Sequence, residues 1–369
     1  IKNSYSLEFS SLARKKNLNN EKIISFGLGE AYFSPPKKLI SFINKAINDG
    51  YNRYSHPNGN LDLRKKLAKK YLSKPKNFII TAGAKPAMSL ILSSLINKND
   101  EVIYFDPSYP SYKSQIKIAE IESKIIRLDL NNDFKISLNL LVKKINHKTK
   151  AIIINSPHNP TGYVISTKDL SKIVKLSNKF KFYIIIDAVY DDLNYSSENY
   201  EKILKHENVI YISSFSKTLG ITGWRIGYLH SANENILSIC SFLQTHINTN
   251  TSTYLQKAIS DYFDLGVEFT NKFKGVLQNR IEYMKKQFSG YNFKIIYPDG
   301  GFFIFINISN LSISSDKFAY NLLKEKNIAV TPGIVFGKKW DKYVRVCFAV
   351  SQRDFIAGIN GLKEFIDEV

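Results

Sequence analysis

The stretch Ser214-Phe-Ser-Lys-Thr-Leu-Gly-Ile-Thr-Gly-Trp-Arg-Ile-Gly227 follows a strand-like apolar run, Val209–Ile212. Its glycines and small hydroxyl residues allow a ligand to come close to the backbone. Lys217 lies among apolar and hydroxyl neighbours, and burial lowers the pKa of a lysine and makes its amine nucleophilic. Arg225 offers a planar guanidinium that matches a phosphate. The stretch therefore predicts a site for a ligand with a phosphate and a group that an amine can attack.

These two requirements favour a cofactor with an aldehyde and a phosphate, and pyridoxal 5'-phosphate (PLP) has both. From Ser214 to Gly227 the stretch resembles, without a gap, the lysine signature of the class I/II aminotransferases, the fold-type I PLP enzymes related to aspartate aminotransferase. The resemblance implies that Lys217 holds PLP as a Schiff base and that Ser214, Ser216 and Arg225 bind the cofactor. A glycine-rich loop with a solvated lysine is the alternative, and the complete spacing argues against it.

The composition is that of a globular protein with room for two domains. The chain has 369 residues, of which 44% are hydrophobic and 13% aromatic. Its apolar runs are of strand length, so we expect no membrane span, and the start of the sequence lacks the apolar core of a signal peptide. Cys240 and Cys347 lie far apart, which favours reduced, buried thiols in the cytoplasm over a disulfide framework.

The formal net charge of +20 raises the question of a nucleic-acid or anionic surface. Only eight of the 52 basic residues are arginines, and the lysines are spread along the chain. With many Asn and Ile residues, this pattern is typical of the compositional bias of an A/T-rich genome. We therefore expect no nucleic-acid partner. We also expect no metal site, since the six histidines have no cysteines at zinc-ligand spacing.

The N-terminal region contains a turn that the resemblance places at the substrate. Residues 1–26 are interpreted as a lysine-rich helical stretch followed by a short strand, and two prolines precede a helix at about 37–48. In the family a segment like Gly27–Glu30 passes close to the substrate carboxylate, which implies a substrate contact at Gly29. The family usually continues with an acidic residue before the aromatic, whereas Ala31-Tyr32-Phe33 stands here.

Tyr51–Arg64 resembles the family segment Tyr-x4-Gly-x4-Arg, with Tyr54, Gly59 and Arg64 in register. In relatives this tyrosine reaches the phosphate of the cofactor in the neighbouring subunit. The resemblance therefore implies that Tyr54 binds the cofactor and that the protein is a homodimer with shared active sites. A loop tyrosine before a helix is the alternative.

A strand, a turn of small residues and a helix form the predicted phosphate cradle. The strand is Asn77–Ile80 and the apolar helix runs from about Pro86 to Ile96. This arrangement aims unpaired backbone N–H groups at a phosphate. Gly83, Ala84 and Lys85, in the turn, are assigned to the cradle.

Further motifs follow two apolar runs of strand length. Strands that are apolar along their length are expected in a sheet that is covered on both faces. Tyr109 stands two residues after a proline, where the family has an aromatic that stacks on the pyridine ring. Ser156–Gly162 resembles the family's Asn-Pro-x-Asn-Pro-Thr-Gly. The resemblance implies that Asn159 donates to the phenolic oxygen of the cofactor and contributes to the substrate site. His158 is interpreted as a residue of the loop surface.

The run Phe182–Ile186 ends at Asp187, and a carboxylate at the end of a buried strand is costly unless it is paired. The resemblance implies that Asp187 pairs with the pyridinium nitrogen and that Tyr190 hydrogen-bonds the phenolic oxygen, so that both take part in catalysis with Lys217. A helix N-cap is the alternative for Asp187. Asp191 and the aspartate after it are interpreted as solvated.

The C-terminal part is predicted to be a different unit. A long helical region spans about 232–289, with a polar interruption at Asn248–Ser252, and a hairpin is predicted within 293–306. Arg345 lies in the last predicted strand, Tyr343–Ala349, and a buried arginine needs an anion. The resemblance implies that Arg345 binds the α-carboxylate of the substrate, and a structural salt bridge is the alternative.

The predicted fold is α/β: the PLP-dependent transferase fold type I, with a large domain built on a mainly parallel seven-stranded sheet and a small α+β domain. The proposed boundaries are residues 1–45 for the N-terminal arm and part of the small domain, 46–275 for the large PLP-binding domain, and 276–369 for the C-terminal small domain.

The predicted activity is PLP-dependent transfer of an amino group between an L-amino acid and a 2-oxo acid. Two alternatives stay open from the sequence. Relatives with the same cofactor site act as lyases or cyclases, and the cofactor motifs do not separate these from aminotransferases. Aminotransferase-like domains also serve as ligand sensors in transcription regulators, although no segment of this sequence is spare for a DNA-binding module.

Overall fold

The computed structural model describes residues 22–127 and 134–369. The predicted helical stretch before residue 22 lies outside the described residues. The helices are α1 (Lys37–Asn48), α2 (Leu61–Lys70), α3 (Ala84–Leu95), α4 (Pro110–Ile118), α5 (Leu138–Lys144), α6 (Thr167–Phe180), α7 (Glu234–Asn248), α8 (Thr253–Gln287), α9 (Ser315–Lys326) and α10 (Gln352–Glu368). The strands are β1 (Ile24–Ser25), β2 (Phe78–Thr81), β3 (Glu101–Asp106), β4 (Glu122–Arg127), β5 (Thr149–Asn155), β6 (Tyr183–Asp187), β7 (Val209–Ser214), β8 (Gly227–Ser231), β9 (Ile295–Ile296), β10 (Phe303–Asn307), β11 (Ile328–Ala329), β12 (Thr331–Pro332) and β13 (Tyr343–Cys347).

The larger sheet has seven strands in the order β2-β8-β7-β6-β5-β3-β4. Strands β4, β3, β5, β6 and β7 run parallel to one another, and β8 is antiparallel to both of its neighbours, β2 and β7. The predicted mainly parallel seven-stranded sheet is therefore confirmed. Because parallel strands end at the same edge, the residues that follow β3, β5, β6 and β7 come together there.

Apolar side chains cover both faces of this sheet, which explains why its central strands are apolar along their whole length. Ile152 and Ile154 of β5 belong to the core on one face, whereas Ala151 and Ile153 belong to the core on the other. This alternation follows from the two-residue period of a strand.

The second unit is built on a four-stranded sheet, β12-β13-β10-β9, in which neighbouring strands are antiparallel. The predicted hairpin is confirmed by the pairing of Phe305 with Ile296, although β9 is shorter than expected. The last predicted strand is also confirmed, ending at Cys347. Helices α9 and α10 pack beside this sheet around a separate core that includes Phe318 and Phe365.

Two helices differ in their bounds from the prediction. Helix α3 begins at Ala84, before the predicted start at Pro86, because Gly83 adopts φ +96° as the N-cap and Pro86 still lies in the first turn. The long helical region is divided into α7 and α8 at the polar segment that the sequence indicates. Within the described ranges, no helix combines the length and apolar character that crossing a membrane requires.

Candidate active site

Lys217 lies just beyond the end of β7, and its amine points to the N-terminal turn. The Nζ atom donates a hydrogen bond to the carbonyl oxygen of Gly29 at 2.7 Å and lies 5.7 Å from the ring centroid of Tyr190. Burial lowers the pKa of Lys217 to about 8, while the nearby Glu30 carboxylate acts in the opposite direction. A larger fraction of this amine is therefore neutral, and able to act as a base or nucleophile, than in an ordinary lysine.

Asp187 is a buried carboxylate at the end of β6. Its Oδ2 accepts a hydrogen bond of 2.5 Å from the Tyr112 hydroxyl, whereas Oδ1 is buried with no hydrogen-bond partner. Burial raises the pKa of Asp187, and the hydrogen bond from Tyr112 and the charge of Lys217 oppose the rise. The side chain of Asn155 donates to the Asp187 carbonyl at 2.9 Å, which fixes the backbone here. An unsatisfied buried carboxylate oxygen is typical of a site that receives a cationic donor.

The predicted phosphate cradle forms where three strands meet. Thr81 of β2 and Ser214 of β7 both pair with Gly227 of β8, so these residues form a row across the sheet. A Cβ atom on Gly83 would lie 2.6 Å from Nη2 of Arg225, so the absence of a side chain at Gly83 allows Arg225 to approach the N-terminus of α3. This end of the helix presents N–H groups that bind anions.

The other predicted cradle residues surround this row. Ala84 and Lys85 are the first two residues of α3. Ser214 and Ser216 are buried, whereas Lys85 and Arg225 are exposed. Arg225 also donates to the Thr222 carbonyl at 2.7 Å.

Tyr109 follows β3 and is partly buried. Its ring meets the Tyr112 ring edge-on, with centroids 5.6 Å apart, and the Lys85 amine lies 5.6 Å from the Tyr109 centroid. Tyr109 therefore lies between Lys85, a residue of the predicted phosphate cradle, and Tyr112, which donates to Asp187. This position is compatible with a ring that stacks on a flat ligand.

Arg345 is buried in β13 and faces the same region. Its guanidinium donates to Oδ1 of Asn159 at 2.9 Å and to the Gly27 carbonyl at 2.7 Å. It lies 4.2 Å from the Phe303 ring centroid. Among the described residues no carboxylate pairs with Arg345, and its Nε is buried without a partner. Burial lowers its pKa. The arrangement leaves Arg345 able to bind an anion from outside the chain.

Tyr32, at the position where the family usually has an acid, covers a second buried arginine. Its ring centroid lies 5.3 Å from the guanidinium carbon of Arg280, and Tyr32 remains 48% exposed. Arg280 donates to the carbonyls of Phe348 and Val350, each at 2.7 Å. The contact between the Tyr32 ring and the Arg280 guanidinium therefore connects the N-terminal turn to the segment after β13.

Three residues of the site were not predicted from the sequence. Tyr112 binds Asp187, Asn155 binds the backbone at Asp187 and accepts from the Asn159 N–H at 2.7 Å, and Phe303 packs on Arg345. Tyr112 stands three residues after Tyr109, about one helical turn, and this spacing was the available signal. Phe303 carries no signal in its local sequence.

The prediction that His158 belongs to the loop surface is wrong. His158 is 5% exposed, and its Nδ1 lies 2.7 Å from the Thr161 hydroxyl. Burial lowers its pKa to about 4, so the imidazole is neutral at pH 7. The loop folds back over His158 because the N–H of Gly162 bonds to the His158 carbonyl. His158 therefore acts as a structural residue that closes this loop.

The prediction that Asp191 and Asp192 are solvated is also wrong. The Asp191 carboxylate accepts a hydrogen bond of 2.6 Å from the Tyr211 hydroxyl, and burial raises its pKa to about 6. Asp192 forms an ion pair with Lys70, and both side chains are about two-thirds or more removed from solvent, at 31% and 26% exposure. These partners come from β7 and α2, which local sequence does not reveal.

Tyr54 is the predicted cofactor residue that the chain does not bring into this cluster. It is 87% exposed and lines a separate cleft with Tyr51, Arg53 and His56. If Tyr54 binds the cofactor of a neighbouring subunit, as predicted, its side chain must be exposed in a single chain.

The described residues fit PLP on three counts. The unpartnered Oδ1 of Asp187 matches a protonated ring nitrogen. The N-terminus of α3, with Gly83 as its N-cap and Arg225 beside it, matches a phosphate. The Lys217 amine has a lowered pKa, as attack on an aldehyde requires. Elsewhere in the described ranges, no group of three His, Cys, Asp or Glu residues is arranged to hold a metal ion.

Comparison with known proteins agrees with this fit. The family model for aminotransferase class I and II matches residues 21–357. The chain is 33% identical to the (5-formylfuran-3-yl)methyl phosphate transaminase of Methanocaldococcus jannaschii, over 98% of this chain and 96% of that protein. It is 31% identical to the aspartate aminotransferase of Pyrococcus horikoshii, over 94% of this chain and 91% of that protein.

Solved structures give the same result. The crystal structure of aspartate aminotransferase from Thermotoga maritima matches with a TM-score of 0.91 and 29% identity, covering 100% of this chain and 98% of that chain. The predicted fold type I architecture is thereby confirmed. The chain therefore belongs to the class I and II aminotransferases, and it is a PLP-dependent enzyme that transfers amino groups.

Proposed function

We propose that the residues around Lys217 form the catalytic site, at which the amino group of an L-amino acid is transferred to a 2-oxo acid. One observation carries the proposal. A lysine amine whose pKa is lowered to about 8 lies in the electrostatic range of a buried carboxylate, Asp187, that has an unpartnered oxygen. Ionisable groups with perturbed pKa values in one buried region are typical of catalytic sites.

The residues would hold PLP in a fixed orientation. Bound PLP supplies an aldehyde for the substrate amine and a ring that delocalises the electron pair left at the α-carbon. Asp187 would pair with the ring nitrogen, while Asn159 and Tyr190 would donate to the phenolic oxygen. The remaining predicted cofactor residues would hold the phosphate and the ring face: Gly83, Ala84, Lys85, Tyr109, Ser214, Ser216 and Arg225.

Lys217 would move the proton of the substrate. Once the amine is no longer bound to the cofactor, it would take the proton from the substrate α-carbon and deliver it to the former aldehyde carbon of PLP, on the other side of the substrate nitrogen. A pKa near 8 suits this exchange because both protonation states are populated near neutral pH. The carbonyl of Gly29 accepts from Nζ and orients the amine, and this contact supports the proposal that the turn lies beside the substrate.

Arg345 would bind the α-carboxylate of the substrate. We expect the Arg345→Gln variant to raise the KM for the amino acid by roughly a hundredfold, since a buried charge-assisted pair is lost. Bound PLP should be retained, because Lys217 and the predicted phosphate cradle are unchanged, but the pH midpoint of its absorbance should shift, because Arg345 is hydrogen-bonded to Asn159 and its charge acts on Tyr190. Steady-state kinetics across amino-acid concentration checks this. Arg353→Gln, on the exposed side of α10, is the matched control, and an unchanged KM in the Arg345 variant would refute the role.

A half-reaction screen tests the proposed function directly. The PLP-loaded protein is mixed with single amino acids, the absorbance of the cofactor is followed, and the product is identified. We expect a stoichiometric 2-oxo acid, with pyridoxamine phosphate left on the protein. Release of ammonia with PLP regenerated would instead establish a lyase.

The names of the relatives favour transamination over elimination or cyclisation and suggest which donors to try first. Aspartate, with glutamate and 2-oxoglutarate as the exchange pair, is the first choice because several relatives are named aspartate aminotransferase. The phosphate-bearing substrate in the name of the Methanocaldococcus relative makes an anionic substrate the second choice.

The protein is further proposed to be a homodimer with shared active sites. Tyr54 is 87% exposed, and α7 exposes the apolar side chains of Ile239, Phe242 and Ile247 at 43%, 63% and 69%. Exposed apolar residues on one helix indicate a surface that another chain covers. A second copy would bring Tyr54 to the cofactor phosphate of its partner.

A mixed dimer tests this arrangement. We expect Tyr54→Ala to weaken PLP binding by roughly tenfold, the effect of one lost hydrogen bond. A heterodimer of Tyr54→Ala with Lys217→Ala should regain about half of the wild-type activity, since one of its two sites has both residues intact. PLP titration and activity per dimer measure both effects. A monomer in light scattering, or a heterodimer with no regained activity, would contradict shared sites.

The proposed domain boundaries place the division within α8. Tyr262 packs in the core of the larger sheet, whereas Phe273 and Leu277 pack in the core of the smaller one, which supports a boundary near residue 275. Hydrogen exchange should therefore show two cooperative units that meet in this helix. The free, buried cysteines support a reducing compartment such as the cytoplasm, which cell fractionation can test.

A further inference from the structure

Three buried tyrosines from separate parts of the chain meet beneath the segment that carries Asp187 and Tyr190. The Tyr71 hydroxyl lies 2.7 Å from that of Tyr228 and 3.1 Å from that of Tyr211. All three residues are at most 6% exposed. Since an unpaired buried hydroxyl is costly, the hydroxyl of Tyr71 depends on the other two for its partners.

Both ends of this cluster reach the segment after β6. Tyr211 donates to the Asp191 carboxylate at 2.6 Å. Tyr228 pairs with Ser213 across β7 and β8, and the Ser213 hydroxyl donates to the Ala188 carbonyl at 3.1 Å. The Asp191 N–H in turn bonds to the Ala188 carbonyl at 3.0 Å. The cluster therefore holds the backbone at both ends of a short turn.

This turn has little regular structure of its own. It lies between the end of β6 and a short 3-10 turn at Asp191–Leu193. The ion pair between Lys70 and Asp192 also connects this turn to α2, the helix whose C-cap is Tyr71. Asp187, the last residue of β6, is held by Tyr112 and Asn155, whereas the orientation of Tyr190 within the turn depends on these external contacts.

We propose that Tyr71, Tyr211 and Tyr228 are positioning residues, which hold the 187–191 segment so that Asp187 and Tyr190 face the cofactor ring. The proposal rests on the proposed roles of Asp187 and Tyr190. The hydroxyls bind one another and the Asp191 carboxylate, and Tyr228 pairs with Ser213 across the sheet, so the cluster acts through the segment after β6. A displacement of about 1 Å in a catalytic group costs roughly a hundredfold in rate, so a loosened turn has a measurable effect.

The test is the Tyr211→Phe variant of the PLP-loaded protein, which keeps the ring and removes the hydroxyl. We expect roughly a tenfold lower kcat with KM changed less than about twofold, since a single hydrogen bond is lost away from the substrate. The pH midpoint of the cofactor absorbance should also shift, because Asp187 and Tyr190 set the electronic state of the ring. Asp191→Asn, which keeps an acceptor oxygen, should give a smaller change in each quantity.

Tyr104→Phe is the matched control, since Tyr104 is a buried tyrosine on β3 of the same sheet, at 2% exposure, and the variant likewise loses only the hydroxyl. It should lower the melting temperature but keep the kcat and the absorbance midpoint. If Tyr211→Phe likewise lowers only the melting temperature, the cluster is structural and the proposal is overturned. If Tyr211→Phe does not fold, Tyr71→Phe takes its place with the same expectations. A Lys217→Ala variant that keeps its activity would refute the proposed function instead.

Discussion

Replacing Lys217 by Ala should reduce the turnover of the half-reaction by at least about a thousandfold, because the variant removes the group proposed to move the α-proton. Other lysines do not substitute for it: Lys85, whose charge also acts on Lys217, is exposed and lies beside Tyr109. The variant should still bind PLP non-covalently, since Asp187 and the phosphate cradle remain. Single-turnover kinetics and the absorbance of the bound cofactor measure these two effects separately.

The same variant identifies the covalent attachment. Borohydride makes a lysine–cofactor linkage permanent, so mass spectrometry should find PLP on Lys217 in the wild-type protein and on no lysine in the variant. Lys175→Ala, an exposed position on α6, is the control and should behave like the wild type. Near-normal turnover in Lys217→Ala would end the proposed mechanism.

Because the pKa of Lys217 is lowered, its covalent reaction with PLP should depend on pH and increase as the pH rises. The neutral amine attacks the aldehyde, and it dominates above the pKa. Covalent uptake of PLP by the cofactor-free protein should therefore rise with pH and reach half its maximum near pH 8. An ordinary lysine with a pKa of about 10.4 is neutral in only roughly one in 250 molecules at pH 8. A midpoint near pH 10 would show that burial does not act on this amine.

The sequence predicts those features whose physical cause is local. Strands β5 and β6 are apolar along their length because both faces of the sheet are covered, and this pattern is visible in the residues themselves. The position of Gly83 follows likewise from the need for a positive φ before α3. The lysine stretch is predictable because its small residues and charged groups serve one ligand.

Features that depend on distant partners were missed. Asp191 looks solvated beside a second aspartate, yet its partner Tyr211 lies on another strand, and Lys70 reaches Asp192 across 122 residues of sequence. His158 looks like a loop residue, but its loop folds back on the turn that contains Pro298 and Gly300. Burial of a polar residue is set by tertiary packing, which local patterns do not contain.

Replacing Asp187 by Asn should lower kcat by roughly a hundred- to a thousandfold, because it removes a charge that is preorganised for the ring nitrogen. The substitution isolates this charge. The amide oxygen of Asn can still accept the hydrogen bond of Tyr112, so the fold and the orientation of the side chain are retained. The negative charge is lost, and the nitrogen of the ring is no longer held protonated.

The measurement is single-turnover kinetics with the best amino acid, together with thermal unfolding of the variant. Unfolding should change little, because the Asn side chain keeps an acceptor for the hydrogen bond of Tyr112. Asp169→Asn, where the carboxylate lies at the start of α6 and pairs with Lys172, is the matched control and should keep the wild-type rate. A rate within about twofold of wild type in Asp187→Asn would mean that the carboxylate does not act on the cofactor. The unpartnered oxygen of Asp187 would then need another cationic donor. The edge of the sheet at which β6 ends would no longer be interpreted as the site of the cofactor ring.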